Sequence, residues 1–267
     1  MFDLYVPRSS WLHRLDPRTK LWGVLLISLA ALLIPHLLVL AGLLIGLHLI
    51  LLAAQVPVAR LRWVWARMAP LTLAILLLQP IFAASFGAAA REAPLLALGP
   101  LRLTVGGILE GISFALRANV LAVVTTGLLL TTDQGRLVQG LVRLGLPYTW
   151  GLTLSLALRY LPTGYGLFIT IREAQQARGW RPEARNFLRR ARAYLPVLVA
   201  VIIAALRLSD ALAMALAARG FGSPRPRTVW REIRFTGRDW LAVGLVTLLF
   251  AGLMGLRFGL GVAARPW

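Results

Sequence analysis

Cysteine is absent from the 267-residue chain, lysine occurs once, at Lys20, and histidine three times, at His13, His36 and His48. Without cysteine there is no disulfide framework, thiolate nucleophile or thiolate metal ligand, and the three histidines are too scattered to form a local ligand cluster. Acid is scarce as well: 10 Asp and Glu stand against 29 Lys and Arg, a net charge of +19. No paired catalytic carboxylates stand out, so the pattern argues against an intramembrane enzyme. There is no G-x-x-x-x-G-K-[ST] loop either, and Lys20 follows Asp16-Pro17-Arg18-Thr19, where no glycines could cradle a phosphate. The chain is therefore not expected to hydrolyse ATP, and no cofactor, metal or nucleic acid is expected to bind it.

What the chain has in abundance is apolar surface. Hydrophobic residues make up 58% of it and charged residues only 15%, with a mean hydropathy of +0.74, against about 25% charged in ordinary soluble domains. That is a membrane protein. The positive charge is almost wholly guanidinium, suited to planar, bidentate contact with carboxylates or phosphates. Composition alone does not separate lipid headgroups from a protein partner.

A span needs about 20 mostly apolar residues. Residues 21–55 are apolar except at Pro35-His36 and read as a hairpin of two short spans, with His36 expected to be exposed at the turn. Further spans are expected at about 68–86, 103–130 and 240–262. The basic residues before the first run resemble a signal peptide, but no small-residue cleavage site follows, so this segment reads as retained. Glu110 and Arg117 lie two turns apart on one face of the fourth span. That face should point into the bundle, either as a structural clasp or as part of a path.

Loop charge orients the spans. Arg8, Arg14, Arg18 and Lys20 precede the first, and Arg60, Arg62 and Arg67 follow the second, so both segments are expected on the cytoplasmic side. Alternation then places Arg91, Glu92 and Arg102 outside and residues 131–239, with 17 of the 29 basic residues, inside. Arg257 and Arg265, beyond the last span, fit this alternation less well. The expected organisation is all-α: an N-terminal cytoplasmic segment and four spans over residues 1–130, a cytoplasmic domain over 131–239, and a fifth span over 240–267.

The 131–239 region reads as three amphipathic helices. The first covers 133–144, capped by Thr132 and stopped by Gly145 and Pro147; the second covers 148–178, with a bend at Pro162; the third covers 194–219. Within the third, the uninterrupted apolar run 195–206 is too short to span and suits an interfacial position. An alternative with two further spans stays open.

The sharpest signal is an internal echo. The second helix ends Ala177-Arg178-Gly179-Trp180 and the third Ala218-Arg219-Gly220-Phe221. Arg178 shares a helical face with Ala174, Ile171 and Leu167, and Arg219 with Ala215, Leu212 and Leu208, so each arginine ends an apolar stripe. Glycine after the last helical residue and a cation in the last turn are ordinary helix punctuation, and one copy needs no other explanation. Two copies on successive helices, both on apolar stripes, point to arginine anchors set into a partner with two grooves.

These residues resemble the transmembrane coupling subunit, or T component, of energy-coupling factor transporters, the modular ABC importers of vitamins and metal ions. The resemblance rests on the opening run from Trp11 to Leu21, on the segment from Leu154 to Thr163 continuing to Ala177-Arg178-Gly179, and on that from Ala193-Tyr194-Leu195-Pro196 through Arg207, Ser209 and Asp210 to Ala218-Arg219-Gly220-Phe221. The Arg-rich linker with Arg181, Arg185, Arg189, Arg190 and Arg192 departs from the family pattern. The resemblance implies a prokaryotic cell-membrane protein whose motifs Ala177-Arg178-Gly179 and Ala218-Arg219-Gly220 engage two ATPase subunits, which bind the ATP. It also implies a substrate-capturing S component landing on Leu154, Leu158, Leu198, Val201 and Ile202. The competing function is a self-contained channel or secondary transporter, to which Glu110 and Arg117 would contribute, although the spans show no inverted repeat.

Overall fold

The computed structural model describes residues 5–8, 10–86, 96–98, 101–180, 191–222 and 235–258. It is helical apart from one minimal hairpin. The helices are α1 (Trp11–Arg14), α2 (Pro17–Leu33), α3 (Leu37–Ala53), α4 (Val58–Phe86), α5 (Val105–Thr131), α6 (Gln134–Arg143), α7 (Tyr148–Ala177), α8 (Leu195–Ala218) and α9 (Gly237–Phe258). Strands β1 (Leu96–Leu98) and β2 (Leu101–Leu103) pair antiparallel, with Leu96 opposite Leu103, on the connection between α4 and α5. Arg91, Glu92, Arg181, Arg185, Arg189, Arg190, Arg265 and the expected end of the last span lie outside the described residues.

Two compact units divide the chain: Asp3–Leu146 with Ile233–Trp267, and Pro147–Glu232. In the first, Leu40, Leu44, Leu47 and Leu51 recur at steps of four and three along α3 and bury one stripe against Val120, Val123, Val124 and Leu130 of α5. Between lipid-facing helices no hydrophobic force favours association, so close approach and polar ties must supply it. Both occur on α5. A Cβ on Gly107 would lie 2.7 Å from the Pro80 carbonyl oxygen of α4, and one on Gly111 would lie 2.9 Å from Pro80 Cγ. This small-x-x-x-small pair lets α4 and α5 touch at the proline. Asn119 Nδ2 donates to Thr72 Oγ1 at 3.0 Å across the same pair, Ser113 Oγ donates to the Pro35 carbonyl, and Arg117 Nε donates to the Ala31 carbonyl at 2.9 Å.

Several sequence expectations need correction. α4 begins at Val58, ten residues before the expected span, because residues 58–67 contain no proline or glycine to break a helix; Arg60, Arg62 and Arg67 therefore stand exposed on its first turns rather than in a loop. His36 is half-buried as the residue before α3, not simply exposed. α6 takes Asp133 as its cap, the carboxylate accepting Gly135 N–H at 3.1 Å, while the hydroxyl of Thr132 is used elsewhere. α8 has the expected extent, but its 24 residues, Arg207, Ser209 and Asp210 included, could by length and composition cross a membrane, as could α4, α5 and α9, so the run 195–206 does not limit it to an interface; α3 is a shorter apolar helix. α7 is the single helix expected over 148–178, with Pro162 inside it.

The glycine contacts make a paired test. Gly107→Ala must push a backbone oxygen aside, which should cost about 1–3 kcal/mol. Gly42→Ala in α3 meets nothing within 4 Å and should leave stability unchanged or slightly raised. Thermal unfolding of both variants in detergent checks the contrast.

Candidate functional site

The doubled motif forms the same structure twice. At the end of α7, Arg178 is the C-cap and Gly179 takes φ +87°, while Gly179 N–H donates to the Gln176 carbonyl at 2.9 Å and Trp180 N–H to the Gln175 carbonyl at 3.0 Å. At the end of α8, Arg219 is the C-cap and Gly220 takes φ +75°, with Gly220 N–H donating to Ala217 and Phe221 N–H to Leu216, both at 2.9 Å. Both are Schellman caps, in which the left-handed residue must be one without a Cβ penalty. Cap chemistry therefore accounts for the glycines.

It does not account for the arginines. α6 ends in a third Schellman cap, with Gly145 at φ +117°, Gly145 N–H to Val142 at 3.2 Å and Leu146 N–H to Leu141 at 3.1 Å, and there the C-cap is Leu144. The geometry tolerates leucine where the other two carry guanidinium. Arg178 and Arg219 are both exposed, as are Ala177, Gly179, Ala218 and Gly220, and neither guanidinium bonds to another described side chain. The aromatics differ: Trp180 donates Nε1–H to the Ala193 carbonyl at 2.6 Å and stacks edge-on to Tyr194 at 5.0 Å, tying α7's exit to α8's entrance, whereas Phe221 is exposed.

Within the same unit α7 packs on α8. Leu154, Leu198 and Ile202 remain exposed, and Leu158 and Val201 are half-buried. Val197 is the only buried residue along α8. An apolar helix so uncovered marks a surface that meets lipid or protein.

In the first unit the opening run folds into a polar clasp. Asp16 caps α2 by accepting Arg18 N–H at 2.9 Å, and its own N–H donates to Asp239 Oδ1 at 2.7 Å. Thr19 Oγ1 also donates to Asp239 Oδ1, and the backbone and hydroxyl of Thr236 donate to Oδ2. Lys20 Nζ donates to the Thr131 carbonyl and Thr132 Oγ1, both at 2.9 Å, at the end of α5. His13 Nε2 donates to the Val6 carbonyl at 3.1 Å, leaving Nδ1 to accept from Ser10 Oγ at 2.7 Å, which sets the tautomer of a neutral ring. Sequence reasoning passed over Asp239 and Thr131, and it took Thr132 for the cap of α6. Only the Asp16-Pro17 pair signalled the arrangement, as an N-cap followed by proline in the first turn. Arg117, besides bonding Ala31, lies 4.9 Å over the Phe114 ring, and Glu110 is half-buried, so Arg117 acts as a tie between α5 and α2.

The family model described as a cobalt transport protein, CbiQ, matches residues 8–230. The energy-coupling factor transporter transmembrane protein EcfT of Heliobacterium modesticaldum is 32% identical over 92% of this chain and 93% of its own length. The chain belongs to the family of energy-coupling factor transporter transmembrane proteins. The EcfT protein of Bacillus subtilis is 31% identical over 95% of this chain and 96% of its own, and that of Thermosediminibacter oceani 30% over the same shares. The transmembrane component of an energy-coupling factor transporter is thus a multi-pass helical protein here, with the doubled cap on its separate α7–α8 unit.

The clasp predicts a pH response. Burial, with the Arg136 guanidinium adding, lowers the Lys20 ammonium from 10.5 to about 8, and Asp239 opposes this. Between those values the unfolded chain binds the extra proton, so stability should rise as pH increases from about 8 towards 10.5. For His13, burial first and Lys20 second lower the pKa below 6.5, so its contribution is lost as pH falls beneath that value. Melting temperatures across pH 5–10.5 should show the alkaline rise, and Lys20→Met should flatten it.

Proposed function

We propose that this transmembrane component is the non-catalytic coupling subunit of an ABC importer for a vitamin or metal ion. Two ATPase subunits bind and hydrolyse the ATP, and Arg178 and Arg219, flanked by Ala177, Gly179, Ala218 and Gly220, seat in their grooves. The carrying observation is that two of three identical caps present an exposed arginine while the third, at Leu144, does without one. Small residues on either side allow close approach, and the left-handed glycines turn the chain away from the groove.

The uncovered faces around Leu154, Leu158, Leu198, Val201 and Ile202 suit an S component that captures the substrate. Basic loops favour a cell-membrane orientation with the N-terminus and residues 131–239 in the cytoplasm. ATP binding draws the ATPases together, the anchored ends of α7 and α8 follow, and the S-component surface changes. Such coupling requires contacts that differ in free energy between the two states.

Removing one charge from a desolvated pair costs about 2–5 kcal/mol. Arg178→Glu and Arg219→Glu should therefore each cut recovery of the ATPase subunits with the tagged chain severely. Arg185→Glu in the linker should leave it near wild type. Equal losses from all three would refute the anchor.

A further inference from the structure

The first unit contains a cavity of about 440 Å³ that no step of the coupling function uses. It lies among α2, α3, α5 and α9, and its wall includes Gly23, Val24, Leu47, Val124 and Leu245. The volume falls in the range of small-molecule pockets, about 300–1,000 Å³. Its wall is nearly all carbon, so water has few partners there, and an apolar void of this size favours an apolar occupant. Leu241 and Leu245 of α9 line it and are 76% and 69% exposed, so the cavity opens sideways along a helix apolar enough to span a membrane.

One end is chemically different. Lys20 and the exposed Arg238 line it beside Trp11, which is also exposed. Both cations adjoin the polar ends of their helices, Lys20 just before the apolar run of α2 and Arg238 in the first turn of α9. Indole at such a level is the ordinary interfacial placement. Of the nearby carboxylates, Asp239 accepts from Asp16, Thr19 and Thr236, while Asp16 accepts from Arg18 N–H through Oδ1 and its buried Oδ2 has no hydrogen-bond partner among the described residues. Lys20 spends two of its three N–H donors on Thr131 and Thr132, which leaves one. An apolar slot capped by positive charge complements one kind of membrane component.

We propose that this cavity holds an acyl chain of an anionic phospholipid, with the headgroup phosphate at Arg238 and Lys20. A bound lipid would fill the space between α2 and α9 that their side chains leave open, joining the last helix to the bundle. A zwitterionic lipid fits the slot equally well but gains less at its mouth. Each basic residue near an anionic headgroup is worth roughly a fivefold preference.

The test uses the full-length chain purified in nonionic detergent, stripped of lipid and titrated with phosphatidylglycerol or phosphatidylcholine, binding being read by native mass spectrometry and by the melting temperature. Phosphatidylglycerol should bind wild type roughly fivefold or more tightly than phosphatidylcholine. Arg238→Gln, an exposed change, should remove most of that preference while leaving phosphatidylcholine binding as it was. Gly23→Leu places a side chain where nothing lies within 4 Å; it should weaken both lipids without lowering the lipid-free melting temperature. Equal binding of the two lipids by wild type, or undiminished binding by Gly23→Leu, would overturn the proposal. If Gly23→Leu lowers the lipid-free melting temperature, Ala242→Leu on the α9 wall supplies the same readout.

Discussion

A single carboxylate joins the two ends of the membrane unit. Asp239 is 1% exposed and takes hydrogen bonds from the backbone of Asp16, the hydroxyl of Thr19 and both donors of Thr236. A buried charge left without donors would be very costly, so this arrangement admits only one seating of α2 against the start of α9. Lys20, on the next turn from Asp16, repeats the logic with the end of α5. Three helices distant in sequence are thus registered at one level by two ionic groups. In a bundle surrounded by hydrocarbon, such ties and close glycine contacts take over the role that hydrophobic burial plays in water.

The α7–α8 unit follows the opposite economy. Few of its side chains are buried, its aliphatic faces are open, and its helix ends are finished by Schellman caps with arginines facing outward. Trp180, tied to Ala193 and Tyr194, fixes the crossing from one helix to the other near the first of these arginines. A unit with so much uncovered apolar surface is built to be completed by other molecules. The contrast between a first unit held by internal polar ties and an α7–α8 unit left open suits the division of labour proposed for the subunit.

Most helices were legible because their signals are local. The Pro35-His36 break and the Gly145, Gly179 and Gly220 terminators lie within a residue or two of the observed ends. Family membership was legible too, through the opening run and the doubled Ala-Arg-Gly. The start of α4 and the apolar length of α8 were misjudged for one reason: charged residues such as Arg60 and Arg207 end an apolar run without ending a helix. Hydropathy measures the solvent around a helix, whereas helix length depends on breakers, and the two boundaries need not coincide.

By itself the sequence determined which segments are helical, that they belong in a membrane, and that two helices share one unusual ending, because each of these is written in neighbouring residues. Which polar groups meet was decided only in three dimensions. Nothing local announces that Asp239 bonds Asp16, that Thr132 serves Lys20 rather than capping α6, or that Gly107 and Gly111 receive Pro80. Those pairings depend on the register between helices far apart in the chain, and register is a property of packed surfaces rather than of any one of them.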